Sequence, residues 1–223
     1  MTNQTAGRQW KDLFRPVVEA GSISGQAVAE RPQQAQLGEA ISRALTERTA
    51  LIAEAPTGTG KSAGALIPVI DEVHQAAAAK KAFRAVVSTE TNSLQDQYIN
   101  KDLPYLHQIY GNFSFSILKG RRHYLCLDHA RQNSRGNQAL IPIVSALERV
   151  LGSLGDGERG DIEKRVGKLG DEQWSMLAGD KFFCNDNQCD TEGCFTARAR
   201  AKALASDIVI VNQNIHDYRV GSR

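Results

Sequence analysis

One short stretch, Ala55-Pro56-Thr57-Gly58-Thr59-Gly60-Lys61-Ser62, constrains this chain more than any other. Two glycines one residue apart, followed by Lys-Ser, let the backbone curl until successive N–H groups point at one centre. A lysine there reaches the outer phosphates of a nucleotide, and the serine after it ligates Mg²⁺. The residues before it, Ala50-Leu51-Ile52-Ala53-Glu54, read as a short buried strand, and Ala63-Gly64-Ala65-Leu66-Ile67 opens a helix. Strand, loop and helix in that order make a phosphate-binding loop, with Ala55 where the first glycine of the pattern often stands. The helix N-terminus adds its own positive end. Thr57, Gly58, Thr59, Gly60, Lys61 and Ser62 are therefore the candidate nucleotide contacts, with Lys61 and Ser62 in the catalytic roles.

Composition sets the surroundings of that loop. A chain of 223 residues, 41% of them hydrophobic, can bury a sizeable core, most simply as one domain carrying an insertion. Its formal charge of +2 is close to neutral, so any nucleic-acid surface must come from local clustering. No apolar run approaches membrane-spanning length, and residues 1–15 lack the charged-then-apolar design of a signal peptide. That reads as a cytosolic protein with no membrane role. Four cysteines in such a chain point away from a disulfide framework and toward metal or redox chemistry.

Periodicity places the remaining pieces. Trp10, Phe14, Val17 and Val18 are spaced for a short amphipathic helix, and Leu37, Ile41 and Leu45 mark a second one after Arg31-Pro32-Gln33-Gln34. The phosphate-loop helix runs to the alanines at 76–79, and residues 83–89 read as a buried strand. This β-α-β order predicts a parallel sheet flanked by helices, with nucleotide at the strand ends. Residues 92–110 read as mixed helix, 113–118 as a third strand, and 205–212 as another buried strand after a helix holding Ala199, Ala203 and Leu204. Between them, 127–183 is rich in glycine and charge, with an amphipathic helix around Leu140 to Leu151.

Cys184, Cys189 and Cys194 recur at five-residue steps, and Cys126 stands alone upstream. Four thiolates can surround either a [4Fe–4S] cluster or a zinc ion. Structural zinc favours paired Cys-x₂₋₄-Cys knuckles, whereas a one-plus-three arrangement suits a cluster. Four unrelated thiols are the third reading.

Taken in order, Arg31-Pro32-Gln33-Gln34, the phosphate loop, Ser88-Thr89-Glu90-Thr91-Asn92-Ser93-Leu94-Gln95 and Lys119-Gly120-Arg121-Arg122-His123-Tyr124-Leu125-Cys126 resemble the DinG branch of superfamily 2 helicases, relatives of XPD. Cys194-Phe195 before a basic helix, and a strand ending Val211-Asn212, fit the same resemblance, which spans about residues 28–218. It implies an α/β fold: a RecA-like P-loop motor domain with a helical, cysteine-bounded iron–sulfur insertion. The expected division is 1–118 and 196–223 for the motor domain and 119–195 for the insertion. The implied activity is an ATP-dependent helicase moving 5′ to 3′ on single-stranded DNA and opening forked duplexes or DNA–RNA hybrids. Members of that family serve DNA repair, replication and CRISPR-associated defence.

The resemblance also assigns roles residue by residue. Arg31 and Gln34 would read the adenine of ATP, since a side-chain amide offers both a donor and an acceptor. Thr89, Thr91 and Gln95 would hold the backbone of single-stranded DNA. Cys126, Cys184, Cys189 and Cys194 would hold the [4Fe–4S] cluster, with Zn²⁺ the alternative metal. Lys119, Arg121, Arg122, His123 and Arg131 form a basic patch beside Cys126, and Arg198, Arg200 and Lys202 another beyond Cys194. With Tyr124 and Phe195 available for stacking, the two patches would seat one DNA strand.

Three departures stand against the full family pattern. Gln213 follows Val211-Asn212 where histidine is usual, no Asp-Glu-Ala-His box occurs before Arg223, and the second motor domain with its arginine finger is missing. Asp71-Glu72-Val73-His74 imitates the box but belongs with the phosphate-loop helix. Helicases close two motor domains around ATP, so this chain alone is expected to bind nucleotide without productive turnover. Two other readings remain: a non-hydrolysing single-stranded-DNA-binding module, and a zinc-stabilised P-loop protein.

Overall fold

The computed structural model describes residues 10–23, 32–180, 182, 184 and 193–213. Its helices, in chain order, are α1 (Trp10–Ile23), α2 (Pro32–Glu47), α3 (Lys61–Ala78), α4 (Asn92–Gln97), α5 (Leu103–Tyr110), α6 (Leu127–Ser134), α7 (Ile141–Val150), α8 (Arg159–Val166), α9 (Asp171–Leu177) and α10 (Phe195–Ala205). Three strands, β1 (Ala85–Thr89), β2 (Phe115–Leu118) and β3 (Ile208–Asn212), form a sheet in the order β1-β3-β2. The sheet is parallel and flanked by helices, as the β-α-β order predicts. The central strand, Ile208-Val209-Ile210-Val211, is a continuous apolar run buried on both faces, which a parallel strand between two neighbours requires.

One expected strand is not there. Leu51 to Glu54 lie in irregular backbone with no sheet partner among the described residues, and Ile52 is 99% exposed. A short apolar run becomes a strand only where a ladder receives it, because strand preference is mostly a property of the neighbours. The imitation box lies within the phosphate-loop helix. Asp71 and His74 lie inside α3, where Asp71 accepts from Gln75 at 2.6 Å and His74 lies 3.0 Å from the carbonyl of Gly111.

Contacts among the described residues separate two compact units, one within 1–116 and 206–210, the other within 117–205 and 211–223. In the first, α1 buries Phe14 and Val17. A methyl added at Gly38 would stand 2.9 Å from the Phe14 ring, and one at Gly64 would stand 3.2 Å from Leu37. A methyl at Gly38 would therefore force the Phe14 ring aside, and one at Gly64 would press on Leu37 and Gln34, so both glycines set the close approach of these helices. Tyr105 donates to the carbonyl of Val17 at 3.4 Å, and Tyr110 donates to the carbonyl of Leu13, so α5 also fastens α1. Burial, then the neighbouring Tyr105 and Asp71, push the Tyr110 hydroxyl well above the usual tyrosine range. Between α4 and α5 the chain winds as a π turn, Tyr98–Asp102.

In the second unit the long segment between β2 and β3 is mostly helical. Of its helices, α7 was legible beforehand, through Leu140, Val144 and Leu147, all buried, and α10 through Ala199 and Ala203. Helices α6, α8 and α9 are one or two turns each and too polar to show a clear stripe. Two isolated bridges, Tyr124↔Glu158 and Leu125↔Ala178, tie the stretch before Cys126 to residues far along the chain. Arg159 is held in its charged form by Asp171 and then Glu163, while Arg159 and the Leu169 amide keep the Glu163 carboxyl below its usual range.

Candidate nucleotide and nucleic-acid site

The phosphate loop is built as its composition demands. Gly58 and Gly60 take φ of 82° and 79°, the left-handed region that residues with a Cβ enter at a cost. Gly60 caps α3, and the Gly64 amide already donates to the Gly60 carbonyl at 2.9 Å, so the helix begins directly at the turn. Thr59 donates to the Pro56 carbonyl at 2.8 Å and closes the loop from within. Lys61 donates to the Ala55 carbonyl at 2.8 Å, spanning the loop mouth that a phosphate chain would fill. Ser62 follows in the first turn of α3, half-buried, and Thr57 is exposed.

Gln34 comes to the same place from a distant part of the sequence. Its Nε2 donates to the Gly60 carbonyl at 2.8 Å. The packing of α2 on α3 through Leu37 and Gly64 sets that reach. Arg31 lies outside the described residues.

The expected DNA-backbone residues divide. Thr91 is exposed and caps α4, its hydroxyl accepting from the Leu94 amide at 3.2 Å. Thr89 is buried and donates to the Thr91 carbonyl at 3.1 Å. Gln95 is wholly buried, so in this arrangement its side chain does not reach a surface.

The proposed basic rim and stacking pair need correction. Tyr124 and Phe195 are 1% and 2% exposed and offer no face to a base. The Tyr124 hydroxyl accepts from the Lys119 amide at 2.9 Å, which turns the ring inward between the two bridges. Phe195 lies against Gly157, where an added methyl would overlap its ring. Lys119 is buried too, and its ammonium meets Glu158 at 2.7 Å. Arg131 is held by Glu148 at 2.7 Å, which keeps its guanidinium firmly charged, and Lys202 meets Asp156 at 3.2 Å. Arg122 stays exposed with Asp180 at 3.8 Å, and Arg121 donates to the Cys184 carbonyl at 3.5 Å. Arg198 lies over the Phe195 ring, 5.1 Å from its centre, and donates to the Gly155 carbonyl at 3.3 Å. Sequence alone counted the positive charges and could not see the carboxylates folded against them.

Cys126, Cys184 and Cys194 are half-buried thiols of the second unit, while Cys189 lies outside the described residues. The Cys126 amide donates to the Leu177 carbonyl at 2.9 Å, and the Cys184 amide to the Asp180 carbonyl at 2.8 Å. The Cys194 sulfur accepts from the Ala197 amide at 3.4 Å, an N–H···S contact of the kind that surrounds cluster thiolates. Among the described residues, no three metal-ligating side chains gather into one group. The donor chemistry nonetheless fits a four-thiolate group, since the chain supplies four cysteine sulfurs and the Cys194 sulfur already accepts an amide hydrogen bond.

A parallel α/β sheet with a glycine-turned loop at the head of a helix defines a P-loop nucleotide-binding domain. Residues 31–150 match the DEAD/DEAH box helicases, and the chain belongs to that family. Over 191 residues it is 32% identical to the ATP-dependent DNA helicase YoaA of Escherichia coli, covering 83% of this chain and 28% of that protein. The ATP-dependent helicase DinG of Mycobacterium tuberculosis is 31% identical over 221 residues, 88% of this chain and 32% of the relative. A Bacillus subtilis protein named 3′-5′ exonuclease DinG is 31% identical over 189 residues, 83% of this chain and 20% of its own length. The chain thus spans less than a third of the length of these relatives. No described helix is long and apolar enough to cross a membrane.

Proposed function

We propose that this chain carries the ATP-gripping part of a DNA helicase of DinG type, which couples ATP hydrolysis to 5′ to 3′ movement along single-stranded DNA. The observation that carries the reading is the phosphate loop. Gly58 and Gly60 are turned left-handed, Lys61 reaches across the mouth, and Gln34 is bonded to the turn from a separate helix. Lys61 would exchange the Ala55 carbonyl for the β- and γ-phosphates, and Ser62 would ligate Mg²⁺. Gln34 and Arg31 would meet the adenine. Thr91, Arg121, Arg122 and Arg198 are the groups left to hold DNA phosphates, a sequence-independent contact that weakens with salt.

In this reading Cys126, Cys184, Cys189 and Cys194 hold a [4Fe–4S] cluster, whose role is to stiffen the segment around them. The four cysteines of the sequence and the N–H···S contact at Cys194 support it. Anaerobic purification tests it directly: brown protein with stoichiometric iron and acid-labile sulfide agrees, and colourless protein holding zinc overturns it. For the nucleotide, titration of the chain with a fluorescent ATP analogue and Mg²⁺ decides. Saturable binding displaced by ATP is expected, and its absence sinks the assignment. Single-stranded-DNA binding without ATP dependence would instead favour a passive binding module.

A further inference from the structure

The loop Gly155-Asp156-Gly157-Glu158 touches both ends of the cysteine set. The carbonyl of Gly157 accepts from the amide of Leu125 at 2.8 Å, one residue before Cys126. The Cα face of the same glycine lies against the ring of Phe195, one residue after Cys194. Gly157 adopts φ of 69°, so both its handedness and its missing side chain are used at this point. The neighbours in the loop repeat the pattern. Glu158 bridges to Tyr124 and pairs with Lys119 at 2.7 Å, while Asp156 and the Gly155 carbonyl receive Lys202 and Arg198 of α10. All four residues of this loop thus touch the strand-like stretch before Cys126 or the helix after Cys194, while the Gly155 amide also bonds Asp161 at 2.9 Å and the Glu158 carbonyl accepts from the Asp161 and Ile162 amides at 3.0 Å, anchoring the loop to α8.

We infer that this loop is a jig that brings Cys126 and Cys194 to one place, with Gly157 its positioning residue. The inference rests on the reading of the four cysteines as one metal site. It differs from a purely structural role because it predicts a specific loss, the nearness of two thiols, when Gly157 gains a methyl. A four-thiolate group needs its sulfurs within a fixed radius, and the chain separates these two by 67 intervening residues, so something other than sequence proximity must set their distance.

The test uses the whole chain with Cys184→Ser and Cys189→Ser, so that only two thiols remain, treated with dibromobimane, which fluoresces on bridging two adjacent thiols. Bridging is expected in this background. Gly157→Ala should slow it about tenfold or more, the scale that forcing a methyl into a filled space imposes, with helix content unchanged by circular dichroism. Phe195→Leu in the same chain makes room for that methyl and should restore bridging. Gly167→Ala is the control, since Gly167 has φ of 91° and nothing within 4 Å, so it strains the turn without a clash. If Gly157→Ala loses helix content, Phe195→Trp crowds the contact from the other side, with the same expected loss. Bridging at the parent rate in Gly157→Ala, or in Phe195→Trp where that replaces it, overturns the inference. Iron and sulfide measured on the chain with all four cysteines separate the two ideas. A metal-free chain that bridges through Gly157 sinks the cluster and leaves the jig, and an iron-loaded chain whose bridging ignores Gly157 does the reverse.

Discussion

The side-chain amide of Gln34 stands 2.8 Å from the carbonyl oxygen of Gly60. A helix that enters the unit before the phosphate loop is thereby bonded to the turn that opens α3. The candidate adenine reader and the phosphate grip are one connected object. Gln34→Ala removes a neutral hydrogen bond of about 1 kcal/mol, so ATP-analogue affinity should fall about fivefold. Gln34→Glu, whose ionised carboxylate cannot donate to a carbonyl, should cost more. Parent-like affinity in both variants would show that the contact carries no weight in binding.

Lys61 presently donates to the Ala55 carbonyl, so its ammonium has a partner waiting to be exchanged. Lys61→Ala should weaken ATP binding by about 1.5–3 kcal/mol, the worth of a charge-assisted hydrogen bond, or roughly 10- to 150-fold. Thermal unfolding without nucleotide should barely move, because Lys61 is exposed. Calorimetric titration checks the first statement and a melting curve the second.

Lys119 and Glu158 form an ion pair whose side chains are 10% and 24% exposed. Glu158→Gln leaves the lysine charge inside with a poorer partner. Full burial would put such a loss at about 3–5 kcal/mol, and the exposure of Glu158 reduces it to about 2 kcal/mol. Replacing both by Lys119→Met and Glu158→Leu should recover much of the deficit. Urea unfolding of the parent and the two variants reads the comparison, and a double variant less stable than Glu158→Gln contradicts it.

Tyr110 is held protonated by burial, with its hydroxyl bonded to the Leu13 carbonyl. Its folded pKa is raised, so its contribution is complete below the unfolded value of about 10 and is lost as pH rises beyond it. Tyr110→Phe should cost about 1 kcal/mol at neutral pH, and the gap to the parent should narrow as pH climbs above about 10. Melting temperatures across that range settle the sign; a gap that widens with alkali would contradict the burial of the phenol.

Much of this was readable from the chain, and the exceptions share a cause. Gly58, Gly60 and Lys61 were found because a phosphate loop is contiguous and local in its chemistry. β1, β2, β3 and α7 were found because their apolar pattern is dense. The failures needed a partner that sequence does not name. Ile52 looked like a strand residue and lies in water, because no ladder receives it. Tyr124 and Phe195 looked like stacking platforms and are interior, because Gly157 and Lys119 come from elsewhere to cover or bond them. The glycine at 157 carried one available signal: it sits two residues after another glycine, in a charged turn between apolar segments.

The irregular backbone from Leu51 to Glu54 has a thermodynamic meaning for the loop it leads into. Backbone N–H and C=O groups outside a ladder are left to water, so the approach to Lys61 and Ser62 lacks the hydrogen bonds that a neighbouring strand would give it. A strand partner seated beside Leu51 to Glu54 would hold the near side of the phosphate loop in place. Completion of the sheet and affinity for ATP would then be two faces of a single coupled equilibrium.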